Sequence, residues 1–370
     1  MKKLTIIKDA EVLSSHSSRK TDIWIQDGKI LRMNLDTLSR IFPENYQVEY
    51  VMASDYYVLP GFVTLFPADQ LVQRSASSYI NQIRKLIEQG TTSFVATIPF
   101  HDWMDDYQLL YKIYPHYNSI LDYAIRIQFS GSSFKINRLK RAVEKGFCLF
   151  EIVVEHEDQL HRMDWEQLSI YMKGRQISLH VTIPSSVSTA DREKIIEHWN
   201  TYCVYYKIRT RYEMGVARER EEEVPFFLIK FISQMNNHDW KKMMLQLDQD
   251  EYQYLPVILS PELLFARRET RVIQFLSMLV RFCSTNPAKM IGCYPQKGNV
   301  QSGADADLIF LNKDIFLTKD AFSTMLTFSE MCNSALVMSK GMWIYRHGMH
   351  ESIIGTGKYL QHLKPYNYAL

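Results

Sequence analysis

A chain of 370 residues, 46% hydrophobic and 23% charged, has the material for a sizeable core, which excludes a disulfide-stapled miniature and a disordered tail. Its 43 basic and 41 acidic residues leave a formal charge of +2, too weak a field to argue for nucleic acid or anionic lipid as a partner. No apolar run approaches the roughly 20 residues of a membrane span, and the five cysteines, without CxxC spacing, fit reduced thiols better than a disulfide framework.

The chain opens on MKKLTIIKDAEVL, where Lys8, Asp9 and Glu11 interrupt the apolar run before it makes a signal-peptide core, so a cytoplasmic protein is expected. Residues 4–7, 22–26 and 29–33 read as short strands, the last two joined by Asp27-Gly28. That dipeptide tolerates the positive φ angles of a two-residue hairpin. Residues 47–53 and 56–59 continue the pattern up to Pro60-Gly61, so a small β-rich unit is expected to end near residue 58.

Beyond residue 60 apolar runs alternate with helical segments, the mark of βα units and a parallel sheet. Candidate strands are 62–66, 93–98, 123–129, 148–154, 177–183, 243–247 and 257–259, with helices such as 78–89, 134–145 and 165–173 between them. Gly90 and Gly146 stand just past two of these helices, where a left-handed cap favours glycine. A barrel is the simplest closure. From Gly298 short strands return at 299–300, 307–311, 335–338 and 342–346. Two β-rich ends suggest one composite unit of residues 1–58 and 298–370 beside a barrel of residues 59–297.

Several phrases carry a resemblance. Tyr57-Val58-Leu59-Pro60-Gly61-Phe62-Val63 and the hairpin around Asp27-Gly28 are followed, far downstream, by Ser284-Thr285-Asn286-Pro287-Ala288-Lys289, Tyr294-Pro295, Lys297-Gly298 and Gly303-Ala304-Asp305-Ala306-Asp307-Leu308. Together they resemble the cyclic amidohydrolases, the group of dihydroorotases, dihydropyrimidinases and allantoinases. The resemblance implies an α/β fold: a TIM-like (β/α) barrel flanked by a small β-sandwich built from both termini. The span between Asp248 and Asn286 is short for the family, so the barrel is expected to be abbreviated at its seventh and eighth strands. These phrases read as turns, caps and sheet contacts, which speak for ancestry and fold rather than for chemistry.

Members of the family hydrolyse cyclic amides with one or two divalent ions, usually zinc, which make hydroxide from bound water and polarise the carbonyl. The ligand positions can be followed residue by residue. Phe66 and Ala68 stand where the resemblance places a His-x-His pair, and neither side chain binds metal; Asp69, beside them, reads better as a loop or cap residue. Glu151 occupies the place of a carbamylated lysine. It is either an imitation of the carbamate or a strand carboxylate paired with a nearby Lys or Arg. His180 aligns with a histidine ending the fifth strand, although a single histidine in an apolar strand is more often a hydrogen-bonded core residue. Gln246 stands for the sixth-strand histidine and Pro261, with Glu262 next to it, for the eighth-strand aspartate.

Two surviving donors are too few for a catalytic zinc, which takes three protein ligands and a water. The expectation is therefore a catalytically inactive relative without a metal cofactor, serving interaction or assembly as a homo-oligomer or as partner of another protein. The competing reading is a C–N hydrolase with a rebuilt site, one metal or none, around Glu151, His180 and Asp69. No GxxxxGK[ST], GxGxxG or GxSxG motif is present, so nucleotide-binding and serine-hydrolase readings have no support. The pairs Glu197-His198, His238-Asp239 and His347 with His350 read as exposed polar positions, and 218–223 as a solvated charged stretch.

Overall fold

The structure is a computed structural model, and it describes residues 2–33, 46–66, 75–101, 104–184, 186–208, 210–215, 243–246, 268–318, 335–360 and 363. The expected strand at 257–259, the charged stretch 218–223 and His238 lie outside them.

The two ends of the chain meet in one sheet. Strands β1 (Lys2–Leu13), β2 (Ser18–Gln26), β3 (Lys29–Met33), β4 (Tyr46–Met52) and β5 (Tyr56–Pro60) come from the start of the chain. Strands β13 (Leu308–Asn312), β14 (Leu336–Ser339), β15 (Met342–Arg346) and β16 (Met349–His350) come from its end. The order is β16-β15-β14-β13-β5-β1-β2-β3, with β4 also paired to β1. The junction is the antiparallel pair β5 and β13, in register from Leu308 opposite Pro60 to Asn312 opposite Tyr56. Asp27 (φ +51°) and Gly28 (φ +78°) form the expected hairpin turn. A Cβ on Gly28 would lie 3.1 Å from the Lys340 carbonyl, so the missing side chain also lets the β14–β15 turn approach.

Three boundaries differ from the sequence expectation. Strand β5 runs to Pro60, one residue past the expected 56–59, with Leu59 and Pro60 paired to β13. Residues 299–300 form no strand. The closing segment leaves the terminal sheet: Tyr123 donates to the Lys358 carbonyl, and Leu360 to that of Tyr123. Gly357 permits this approach, since a Cβ there would lie 2.0 Å from the Leu121 carbonyl.

The second sheet is parallel, with strands in chain order: β6 (Phe62–Phe66), β7 (Thr91–Pro99), β8 (Asp122–Ser130), β9 (Leu149–Val153), β10 (Ser178–Ile183), β11 (Thr210–Gly215) and β12 (Met243–Gln246). Residues of β12 come within 8 Å of β6, so the sheet curls back toward its own start. Strand β11 has no counterpart in the sequence reading, because Thr-Arg-Tyr-Glu-Met-Gly lacks the apolar run that marks its neighbours. Its presence makes Met243–Gln246 the seventh parallel strand, not the sixth, and Gln246 moves with it.

Helices α1 (Ala76–Glu88), α2 (Asp106–Ile113), α3 (Ile136–Glu144), α4 (Asp158–His161), α5 (Trp165–Met172) and α6 (Thr189–Tyr205) follow successive strands. From β7 to β10 the sheet is buried on both faces, as a parallel sheet wrapped in helices must be. Its outer face carries the large side chains, Phe94, Tyr123, Phe129 and Phe150 among them, which join the main core with Ile83 and Leu86 of α1 and Trp199 of α6. The inner face begins with smaller ones: Val63, Leu65, Val95, Ala124 and Leu149 pack against Ala288, Met290 and Ile291. Those last three belong to α8 (Asn286–Ile291), reached from α7 (Arg268–Val280) through a π-helical turn (Arg281–Thr285) that touches both β6 and β12. The Ser-Thr-Asn-Pro-Ala-Lys phrase is thus the plug at the amino end of the barrel.

The phrases after it lock barrel to terminal sheet. Lys297, 1% exposed, reaches Asp307 at 2.6 Å, Asp122 at 3.0 Å and Asp305 at 3.1 Å. Asp122 opens β8, and Lys340 of the β14–β15 turn also pairs with it at 2.6 Å. Burial works against the charge of Lys297, yet the aspartates outweigh it and hold the amine well above its usual pKa. Gly298 (φ +73°) completes the turn where a Cβ would lie 2.5 Å from the Ser284 carbonyl. Among the described residues no helix is long and apolar enough to cross a membrane.

Candidate functional site

The period-two alternation that puts Val95, Ala124 and Leu149 on the inner face puts Thr97, Arg126 and Glu151 there too, one step nearer the carboxyl ends of the strands. That end of such a barrel is where functional groups gather. Register carries the layer onward: Arg126 lies opposite Thr97, Glu151 opposite Gln128, and His180 opposite Glu151. Above an apolar floor, the barrel therefore holds a polar layer contributed by four neighbouring strands.

Arg126 is its centre. The guanidinium is fully buried and engages three neighbours: Nη2 is 2.8 Å from Glu151 Oε2, Nε and Nη2 lie 3.0 and 2.8 Å from Thr97 Oγ1, and Nη1 is 2.7 Å from His180 Nε2. Arginine has only N–H groups to offer. His180 Nε2 therefore accepts, which makes its ring the neutral tautomer with the proton on Nδ1. Glu151 is saturated in its turn, with Gln128 Nε2 donating to Oε1 at 2.6 Å and Thr182 Oγ1 to Oε2 at 2.9 Å. Burial, the largest single influence, would raise the Glu151 pKa, but the Arg126 guanidinium together with the side chains hydrogen-bonded around the carboxyl outweighs it and holds the group below its usual value. Of the two readings of Glu151, the geometry displays the ion pair.

The other positions can be placed in part. Phe66 is the last residue of β6 and Gln246 the last of β12, both at carboxyl ends of strands. Ala68, Asp69, Pro261 and Glu262 lie outside the described residues. Sequence reasoning missed Arg126, Thr97, Gln128 and Thr182. The available signal was a charged residue in an otherwise apolar, alternating strand, Asp122-Tyr123-Ala124-Ile125-Arg126-Ile127-Gln128.

The donor set does not fit a divalent ion. A metal on Glu151 Oε2 and His180 Nε2 would take the lone pairs that Arg126 uses and would lie beside its charge. A dication about 4 Å from a guanidinium is opposed by roughly 8 kcal/mol at an effective dielectric constant of about 20. Among the described residues no group of three His, Cys, Asp or Glu side chains is placed to hold a metal.

Comparison with known proteins agrees with this architecture. Residues 261–344 match the amidohydrolase family. A stretch of 40 residues is 52% identical to an L-hydantoinase of Paenarthrobacter aurescens; it spans 11% of this chain and only 9% of that protein's length. Across the whole fold the chain is similar to the dihydropyrimidinase of Brevibacillus agri NCHU1002 (TM-score 0.64, 13% identity, covering 99% of this chain and 100% of that one). It is likewise similar to the D-hydantoinase of Thermus sp. (TM-score 0.62, 15% identity, 98% and 100%) and the L-hydantoinase of Arthrobacter aurescens (TM-score 0.62, 14% identity, 96% and 99%). Residues 261–344 thus match the amidohydrolase family, and along its whole length the chain shares the fold of these dihydropyrimidinase and hydantoinase structures.

Proposed function

We propose that this chain is a non-hydrolytic amidohydrolase-fold protein whose present role is interaction, as a homo-oligomer or as the partner of another protein, in the cytoplasm. The observation that carries the reading is Arg126: a fixed guanidinium occupies Glu151 and His180, the two donors that a metal would need. On this reading the polar layer is internal scaffolding, and no divalent cofactor is bound. The nine-stranded terminal sheet is taken as the counterpart of the family's sandwich, and the barrel as abbreviated after β12. Neither nucleic acid nor membrane is a partner, in keeping with the near-neutral charge.

The test is ring opening of dihydroorotate, hydantoins and allantoin by the full chain, with zinc or manganese added. The reading expects no rate above that of buffer with metal alone. Turnover that disappears in Glu151→Gln overturns it.

A further inference from the structure

Between the amino end of the barrel and the terminal sheet lies a cleft of about 410 Å³. The β2–β3 turn with Lys29, the loop after the plug with Gln296, the β14–β15 turn with Lys340 and the closing segment from Lys358 to Leu360 wall it. A cavity of this size at the seam between two structural units is an ordinary setting for a small ligand. It stands apart from the polar layer of the barrel: Asp122, in its wall, opens β8, and Arg126 follows four residues later, about 13 Å along the strand.

A chain of alternating charge runs along the cleft, from Lys29 through Asp305, Lys297 and Asp122 to Lys340, with contacts of 3.0, 3.1, 3.0 and 2.6 Å. Both of its ends are cations, and both line the cavity. An ammonium has three donors, of which Lys29 and Lys340 each spend one on a carboxylate. The aspartates between them are already served: Asp122 Oδ1 also accepts the Lys358 backbone N–H, and both oxygens of Asp305 accept Gln296 Nε2 at 3.3 Å. Lys358, also in the wall, carries a third ammonium, without a protein partner among the described residues. Tyr359, Leu360 and Leu363 add an apolar surface to the same cavity. Spare donors on cations, with the carboxylates occupied, favour a negative ligand over a positive one, and ammoniums tethered by aspartates lose less freedom on binding it.

We propose that this cleft binds a small organic anion, a phosphate ester or a carboxylate, with its head on the ammoniums of Lys29, Lys340 and Lys358 and its apolar body against Tyr359 and Leu360. The inference goes beyond the interaction reading and does not depend on it.

Isothermal titration calorimetry of the full chain tests it with phenyl phosphate, benzoate, their bare heads inorganic phosphate and formate, and benzylamine. One phenyl phosphate or benzoate per chain is expected, and whichever binds more tightly names the head. The corresponding bare head leaves the apolar wall unused and should bind at least about tenfold more weakly; benzylamine should not bind. Lys29→Ala and Lys358→Ala should each raise the dissociation constant roughly tenfold, the weight of one charge-assisted hydrogen bond. Lys29 has a side chain 50% exposed and leaves Asp305 paired with Lys297, and Lys358 is exposed, so circular dichroism should show both variants folded. Lys194→Ala, on α6 with a side chain 56% exposed, is the control and should leave binding unchanged. Binding of neither anion, an affinity indifferent to both substitutions, a bare head bound as tightly as its ringed counterpart, or benzylamine bound equally well overturns the proposal.

Discussion

Replacing Arg126 by methionine keeps an unbranched apolar stem in the barrel and removes the guanidinium. What remains is a carboxylate 1% exposed with no cation beside it, and a His180 Nε2 and Thr97 Oγ1 stripped of their donor. Removing one partner of a buried ion pair costs about 3–5 kcal/mol. With about 2.1 cal/mol/K of unfolding entropy per residue, a chain of 370 residues melting as one unit should lose about 4–6 °C at pH 7. The deficit has a direction in pH. Without the guanidinium, burial raises the Glu151 pKa above its unfolded value; the side chain is then neutral in mild acid, and the variant's deficit shrinks as pH falls. Thermal melts of wild type, Arg126→Met and Arg126→Met with Glu151→Gln at pH 7 and pH 5 measure both effects. The double variant should recover most of the loss, because no charge is left unpaired. A single variant as stable as wild type, or a double variant no better than the single one, would refute the reasoning.

Three further outcomes are expected. Lys297→Met removes the cation shared by Asp122, Asp305 and Asp307; Lys340 still faces Asp122 and Lys29 still faces Asp305, but Asp307 is left without one, so a loss of about 3 kcal/mol is expected at pH 7, smaller in mild acid where a carboxylate can take up a proton, and melts at both pH values check it. His116, fully buried beside Tyr79, has its pKa lowered by burial to about 4. The unfolded chain then takes up a proton near pH 6.5 that the folded chain refuses, so stability falls by about 3 kcal/mol as pH drops from 6.5 to 4, and His116→Asn should flatten that part of the stability profile. Gly298→Ala combines a left-handed backbone with a Cβ 2.5 Å from a carbonyl oxygen, and a loss of about 2 kcal/mol or more is expected in a thermal melt.

What was legible in the sequence was whatever depends on local chemistry or on a run of one residue type. Asp27-Gly28 announced its turn, and six of the seven parallel strands announced themselves as apolar runs, those from β7 to β10 because both of their faces are buried. Strand β11 did not, since Thr-Arg-Tyr-Glu-Met-Gly is held in the sheet by backbone pairing to β10 and β12 rather than by its own hydrophobicity. The Lys-Gly and Gly-Ala-Asp-Ala-Asp phrases stood out, yet their purpose needed coordinates: Lys297, Asp305 and Asp307, all in the connection between α8 and β13, meet Asp122 at the start of β8, and no spacing rule links those two segments. The same holds for the barrel interior. Glu151 and His180 drew attention because the resemblance assigned ligand positions to them, whereas Arg126 was assigned none, and only the register of β8 against β7 and β9 places it beside them.

The central proposal, that a guanidinium holds the two donors a divalent ion would need, is tested most directly by elemental analysis of chain purified without chelator from cells supplied with zinc and manganese. The account predicts far less than one ion per chain, the same in Glu151→Gln as in wild type. A stoichiometric ion that is lost when Glu151 or His180 is replaced would contradict it.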